Sequence, residues 1–198
     1  MTGNAVLLSL RHVWLTLERL DVPAALAGGL ALAVWKHARA TRDVDLLISI
    51  EDEHVEELLA SLRAAGIRPR RPQPVATLGK LEIIQLLYEP PETFVDLQVD
   101  LLLATADYPL EALRRRVPVQ LPGLDVTIAV LTCEDLILHK LLAGRLIDRV
   151  DAAALLRANR PAVDLAYLLR WAGELNLMGD LAETWSEAFP GECLPPHP

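Results

Sequence analysis

The sequence predicts an α/β protein, a core of strands interleaved with helices followed by a helical subdomain, and three observations predict it. Strand-like runs are mixed with helical periods up to about Leu131, and beyond that only helical pattern continues, to about residue 190. Val95, Leu97, Val99 and Leu101 alternate with Asp96, Gln98 and Asp100, the period of two of a strand with one apolar face. The 198 residues, 52% of them hydrophobic, suffice to bury one core with an appendage. The expected units are an α/β core over 1–131, a helical subdomain over 132–190 and a flexible tail over 191–198.

Taken in order, Val6, Leu10, Val13, Leu17 and Leu20 recur with a helical period over about 4–20, and Pro23 ends that element. A short strand or turn runs through Ala24–Leu26 into Gly28-Gly29, a helix covers about 29–38, and 41–50 reads as turn then strand. Val55, Leu58, Leu59 and Leu62 mark an amphipathic helix over 52–65, stopped by Gly66. The proline- and arginine-rich stretch 69–74 is a loop. Strands follow over 81–88 and 94–103, joined through Pro90-Pro91, then over 117–120 and 126–131. Thr132-Cys133-Glu134-Asp135 has the form of a capping box opening the helical region.

Composition narrows the function. A net charge of −8 argues against a protein that coats nucleic acid, and the arginine runs 68–71 and 114–116 read first as solvated surface. No apolar stretch reaches the roughly 20 residues that span a bilayer, and the N-terminus lacks a basic secretory region, so a cytoplasmic protein is expected. Cys133 and Cys193 show no zinc or disulfide spacing. The five histidines, His12, His37, His54, His139 and His197, share no metal-binding spacing and read as structural or surface. Neither a Gly-x-Ser-x-Gly elbow nor a Walker motif is present.

The chemistry concentrates in Ala27-Gly28-Gly29-Leu30-Ala31 and in Arg39-Ala40-Thr41-Arg42-Asp43-Val44-Asp45. Glycines at a helix mouth let backbone N–H groups approach a phosphate with no Cβ in the way. Asp43 and Asp45, two residues apart in a strand, point to one face and can ligate one hard cation such as Mg²⁺. Asp96 and Asp100 share a strand face but lie about 13 Å apart, so only one of them can sit near such a cation. Lys140 stands in a helix otherwise filled by Leu136, Ile137, Leu141 and Leu142. It is either a lysine snorkelling to solvent or a point charge for a phosphate.

Gly-Gly, thirteen intervening residues and Asp-x-Asp together resemble the nucleotidyltransferase signature of the DNA polymerase β superfamily. The wording is closest to small prokaryotic AbiEii-like toxin nucleotidyltransferases, whose helical region is similar to Glu134–Arg145 with Asp148 and Asp151. The resemblance implies a mixed-sheet nucleotidyltransferase-like core and an Mg²⁺- or Mn²⁺-dependent transfer of an NMP group from an NTP to an acceptor hydroxyl, with release of pyrophosphate. By the same resemblance the acceptor is tRNA or another RNA, with a small molecule or a protein also open, and an antitoxin partner is implied. It implies catalytic Asp43, Asp45, Asp100, Lys140 and Asp151, metal on Asp43, Asp45 and Asp100, and phosphate on Gly28, Gly29 and Arg42. Many such proteins carry Ser or Thr just after the glycines, where this chain has Leu30 and Ala31. That departure motivates a second reading, a nucleotidyltransferase-fold protein that binds nucleotide or a partner with little catalysis.

Overall fold

The computed structural model describes residues 2–78 and 81–196; Lys80 and His197 lie outside the described residues. Helix α1 (Thr2–Arg19) leads to strand β1 (Ala24–Leu26), helix α2 (Gly28–Val34) and strand β2 (Val44–Ile48). A single 3-10 turn at Asp52–His54 opens α3 (Val55–Ala64), and the strands β3 (Ile67–Pro69), β4 (Val75–Leu78), β5 (Leu81–Tyr88) and β6 (Leu97–Leu103) follow. After α4 (Asp107–Arg115) come β7 (Val117–Gln120) and β8 (Thr127–Val130). The chain ends in α5 (Cys133–Ala143), α6 (Leu146–Asn159), α7 (Leu165–Glu174) and α8 (Met178–Ala188).

Among the described residues the strands form one mixed sheet in the order β3-β5-β6-β2-β1-β8-β7, with β4 also pairing β5. Apolar β2, in which all but Asp45 are fully buried, lies between antiparallel β1 and parallel β6. That register sets Asp45 opposite Asp100. Helix α5 is buried from Cys133 to Leu142, its Glu134, Asp135, His139 and Lys140 along with its leucines. The Thr132 hydroxyl accepts from the Asp135 N–H, and Gly144 in the left-handed region (φ 68°) closes the helix. The mixed α/β core and the C-terminal helices expected from sequence are both present, and one hydrophobic core runs through them. No described helix is long and apolar enough to cross a membrane.

Four details differ from the sequence reading. Helix α2 stops at Val34 rather than near 38, because Lys36 takes φ 63° and the His37 N–H turns back to the Leu32 carbonyl. Trp35 is clasped from both sides: its indole N–H donates to the Leu131 carbonyl at 2.9 Å, and Asn159 Nδ2 donates to the Trp35 carbonyl at 2.8 Å. Helix α4 was not expected; its Pro109 is tolerated in the first turn, and Asp107 and Arg114-Arg115 sit at the ends where the helix dipole favours them. Strands β3 and β4 are short pieces along the outer side of β5, the kind of edge that proline-bearing segments can form. Strand β6 starts at Leu97 rather than 94, since Glu92 and Phe94 adopt positive φ.

Candidate functional site

The sheet face bearing Asp45 and Asp100 and the inner faces of α5 and α6 enclose a cleft of about 300 Å³, lined also by Gly28, Gly29, Thr41, Asp43 and Arg145. Its tightest point is the Gly-Gly turn. The Ala27 N–H donates to the Asp45 carbonyl at 2.9 Å, which draws the turn onto β2. Gly28 has φ +57°, and a Cβ there would lie 1.8 Å from Asp45 Oδ2; at Gly29 a Cβ would lie 2.7 Å from Thr41 Oγ1. Both positions need the absence of a side chain, and Gly28 needs the left-handed conformation as well. The backbone N–H of Gly29 donates to the Asp45 carboxylate. The glycines thus bring backbone directly against the carboxylate.

Asp43 is exposed at the entrance to β2, and Asp45 is partly buried one pleat further in. Burial, then the charge of Asp100, pushes the Asp45 carboxyl up to about 6, against the lowering influence of Lys140 and of the Gly29 N–H; Asp43 adds to the rise. Burial likewise raises Asp100, with Asp43 adding to the effect, while a hydrogen bond from Gln98 opposes it. Asp100 is only 8% exposed, and its Oδ1 is buried with no hydrogen-bond partner. Asp96 precedes β6 and pairs with Arg68 on the surface at 2.5 Å, so of the two alternatives Asp100 is the one lining the cleft.

Like charge that raises its own pKa values, and a buried carboxylate oxygen left without a donor, are what a hard divalent cation relieves. The oxygen donors of Asp43, Asp45 and Asp100 fit Mg²⁺ or Mn²⁺ by that test. Among the described residues the group whose ligand atoms lie within 4.8 Å of one another is a different one, Glu51, Glu53 and His54, exposed outside the cleft. Asp43, Asp45 and Asp100 do not all lie within that distance of one another, and Asp43 is the exposed member of the three.

Lys140 does not snorkel. It is 6% exposed, and its Nζ lies 2.9 Å from both Asp148 Oδ1 and Asp151 Oδ2. Arg145 pairs with Asp148 through Nε at 2.6 Å, and Arg39 pairs with Asp151 through Nη2 at 2.9 Å. His37 Nε2 stands 3.1 Å from Asp151. Burial alone would raise both aspartates; hydrogen bonds from Arg145 and Lys140 outweigh it at Asp148, and those from Arg39, Lys140 and His37 outweigh it at Asp151, so both sit below the usual carboxylate range. Asp151 is fully buried and does not line the cleft. Three cations against two aspartates leave an excess of positive charge beside the carboxylate group. Arg42 is exposed between two lining residues and makes no ion pair among the described residues.

The remaining motifs are spent on structure. Arg115 packs 3.5 Å over the Tyr167 ring and lies 3.4 Å from both Glu134 and Asp135, so the arginine run 114–116 is not a free patch. His12 stands against the Ala65 carbonyl at 2.7 Å, and His54 near Glu51 at 3.6 Å. His139 is the exception: it lines the cleft, neither ring nitrogen has a partner, and burial lowers it to about 4, so the imidazole is neutral. Sequence reasoning missed Thr41 and Gln98 as lining residues, although Gln98 shares its strand face with Asp100 in the alternating pattern.

A family model described as nucleotidyl transferase AbiEii toxin, type IV TA system, matches residues 10–195. No curated protein matches the chain. Among solved structures, a putative nucleotidyltransferase from H. pylori superposes with a TM-score of 0.53 at 17% identity, over 98% of this chain and 86% of that one. An antigenic nucleotidyltransferase-like protein from Paracoccidioides brasiliensis gives 0.51 at 18%, over 93% and 96%. The antibiotic-resistance factor ANT(2'')-Ia gives 0.51 at 15%, over 89% and 97%. At these identities the likeness is one of fold.

Proposed function

The chain belongs to the AbiEii nucleotidyl transferase family, and from that premise we propose that it moves an NMP group from an NTP to an acceptor hydroxyl, releasing pyrophosphate. The observation that carries the reading is the meeting of Asp43, Asp45 and Asp100 with Gly28-Gly29 and Arg145 in one cleft, with Lys140 and Arg39 in its wall.

A divalent cation held by Asp43, Asp45 and Asp100 would supply charge neutralisation on the phosphates. The acceptor oxygen forms a bond to the α-phosphorus as the bond to the pyrophosphate oxygen breaks, and the electron pair leaves with pyrophosphate. Asp100 Oδ1, with no donor of its own, takes the acceptor's proton. Arg145, 61% exposed at its side chain, and Arg42 meet the triphosphate as guanidinium donors, and the backbone of Gly28 and Gly29 with the Thr41 hydroxyl lets a phosphate come close. Lys140 acts from behind this surface: with Asp148 and Asp151 it fixes Arg145 and Arg39, and its charge draws the Asp45 carboxyl downward. In this reading Asp151 is a positioning residue.

The acceptor we propose is an RNA, tRNA foremost, in the cytoplasm, with the growth-inhibiting activity opposed by an antitoxin as the family's type IV description implies. The test is to incubate purified protein with each radiolabelled NTP, Mg²⁺ and total RNA. Label transferred to RNA with release of pyrophosphate supports the reading. Label on protein keeps the transfer and overturns the RNA acceptor; label on nothing, with nucleotide still bound, favours the second reading that Leu30 and Ala31 motivate, a binding protein with little catalysis.

A further inference from the structure

Strands β3, β5 and β6 lie side by side, and the backbone N–H of Arg70, just past β3, donates to the Gln85 carbonyl at 2.9 Å. Gln85 is the register partner of Asp100 across β5 and β6. From that anchor Arg70 Nη1 donates to Gln98 Oε1 at 2.7 Å, and Gln98 Nε2 donates to Asp100 Oδ2 at 2.8 Å. A guanidinium has only donors, so it fixes which end of the amide is oxygen and turns the NH₂ toward Asp100. The Asp100 carboxylate is therefore held by one oxygen, and the other, buried and without a partner, is left open. A buried acceptor with no donor costs about 1–3 kcal/mol and persists where a ligand completes it.

We propose that Gln98, locked by Arg70, is a positioning residue that holds Asp100 by Oδ2 and reserves Oδ1 for the divalent cation or the acceptor hydroxyl. The inference rests on the reading that Asp100 serves the transfer site. A side chain that merely packs the strand would affect stability alone; one that aims a ligand alters metal affinity and turnover. Groups that orient a metal-binding carboxylate typically matter by about 10- to 100-fold in affinity or rate.

The experiment measures Mn²⁺ binding by calorimetry, and kcat and KM for NTP, in full-length wild type, Gln98→Leu, Arg70→Ala and Arg70→Lys. The expected result is Mn²⁺ binding about 10-fold weaker in Gln98→Leu and kcat lower by about 10- to 100-fold, with KM for NTP within about two-fold. Arg70→Ala, at an exposed position that leaves the core untouched, moves both in the same direction, and Arg70→Lys, which keeps a donor, recovers most of the loss. Mn²⁺ affinity and kcat both within about two-fold of wild type in Gln98→Leu and Arg70→Ala overturn the inference while leaving the transfer reading in place. Wild type that binds Mn²⁺ but transfers no NMP defeats the transfer reading, and the Mn²⁺ affinities then decide on Gln98 alone. Wild type that binds no Mn²⁺ overturns the inference.

Discussion

Asp45 and Asp100 face each other across parallel strands β2 and β6, and neither forms an ion pair among the described residues. Neighbouring strands are about 4.8 Å apart, so two carboxylates at one register position repel through a partly buried medium. Every other buried carboxylate near the cleft, Asp148 and Asp151 included, is paired with at least one cation. The contrast sets up the first two predictions.

The Asp45 carboxyl is raised to about 6, so the folded protein holds that proton to higher pH than the unfolded chain, which releases it near about 4. Stability from this group falls as pH rises from about 4 to about 6 and stays lowered above that. In metal-free buffer at pH 8, Asp45→Asn should therefore be more stable than wild type by about 1–3 kcal/mol, measured by urea denaturation. A variant less stable than wild type at pH 8 would contradict the account of repulsion.

Mg²⁺ or Mn²⁺ should raise the Tm of wild type, and further with NTP present, because ligands that bind only the folded state stabilise it. Asp43→Asn combined with Asp45→Asn should fold and lose that gain. An equal thermal shift in the double variant would place the ions elsewhere, for which Glu51, Glu53 and His54 are the obvious second group.

Lys140→Met leaves Asp148 and Asp151, both fully buried, short of one shared cation. Breaking a buried pair by removing one partner costs about 3–5 kcal/mol, far beyond the roughly ±0.5 kcal/mol of a solvated lysine. Chemical denaturation at pH 7 checks it, and a change under about 1 kcal/mol would rule out the buried network as described.

Asp148 and Asp151 are depressed below their ordinary range. The folded state then holds fewer protons than the unfolded one, so their contribution is fully present above about pH 4 and is lost as pH falls further. Asp151→Asn should be less stable than wild type at pH 7 and show a shallower loss on acidification below about pH 4. Parallel acid-unfolding curves for the two proteins would contradict this.

Gly28→Ala puts a methyl group at φ +57° and 1.8 Å from Asp45 Oδ2. The left-handed conformation alone costs about 1–2 kcal/mol, and the Asp45 carboxylate must move. NTP turnover should fall more than stability does; a variant with wild-type turnover would show that the close approach is dispensable.

Gly28-Gly29 and Asp43-Val44-Asp45 were legible because their relation is local: a turn that needs glycine and a strand that repeats every two residues. Which of Asp96 and Asp100 enters the cleft depends on the register of β6 against β2, a pairing between segments more than fifty residues apart, and alternation alone leaves both on one face. The resemblance set Lys140, Asp148 and Asp151 in one run, but the pairing itself lies between helices and, through Asp151, reaches Arg39, so the pattern of the Lys140 helix could not give it. Helix α4 was hidden by Pro109 and by arginines that look like surface, one of which stacks on Tyr167. Strands β3 and β4 exist because β5 offers them an edge, and short edge segments carry little periodicity of their own.

The Trp35 clasp bears on timing during synthesis. Its two hydrogen bonds reach partners 96 and 124 residues further along the chain, and Arg39 waits 112 residues for Asp151. A ribosome delivers residues in order, at about 5–20 per second. The segment carrying Arg39, Thr41 and Asp43 is therefore made early and anchored late, only after α6 has emerged. A nascent chain holds both glycines and Asp43, Asp45 and Asp100 before α6 brings Asp148 to the cleft and Asp151 to Arg39.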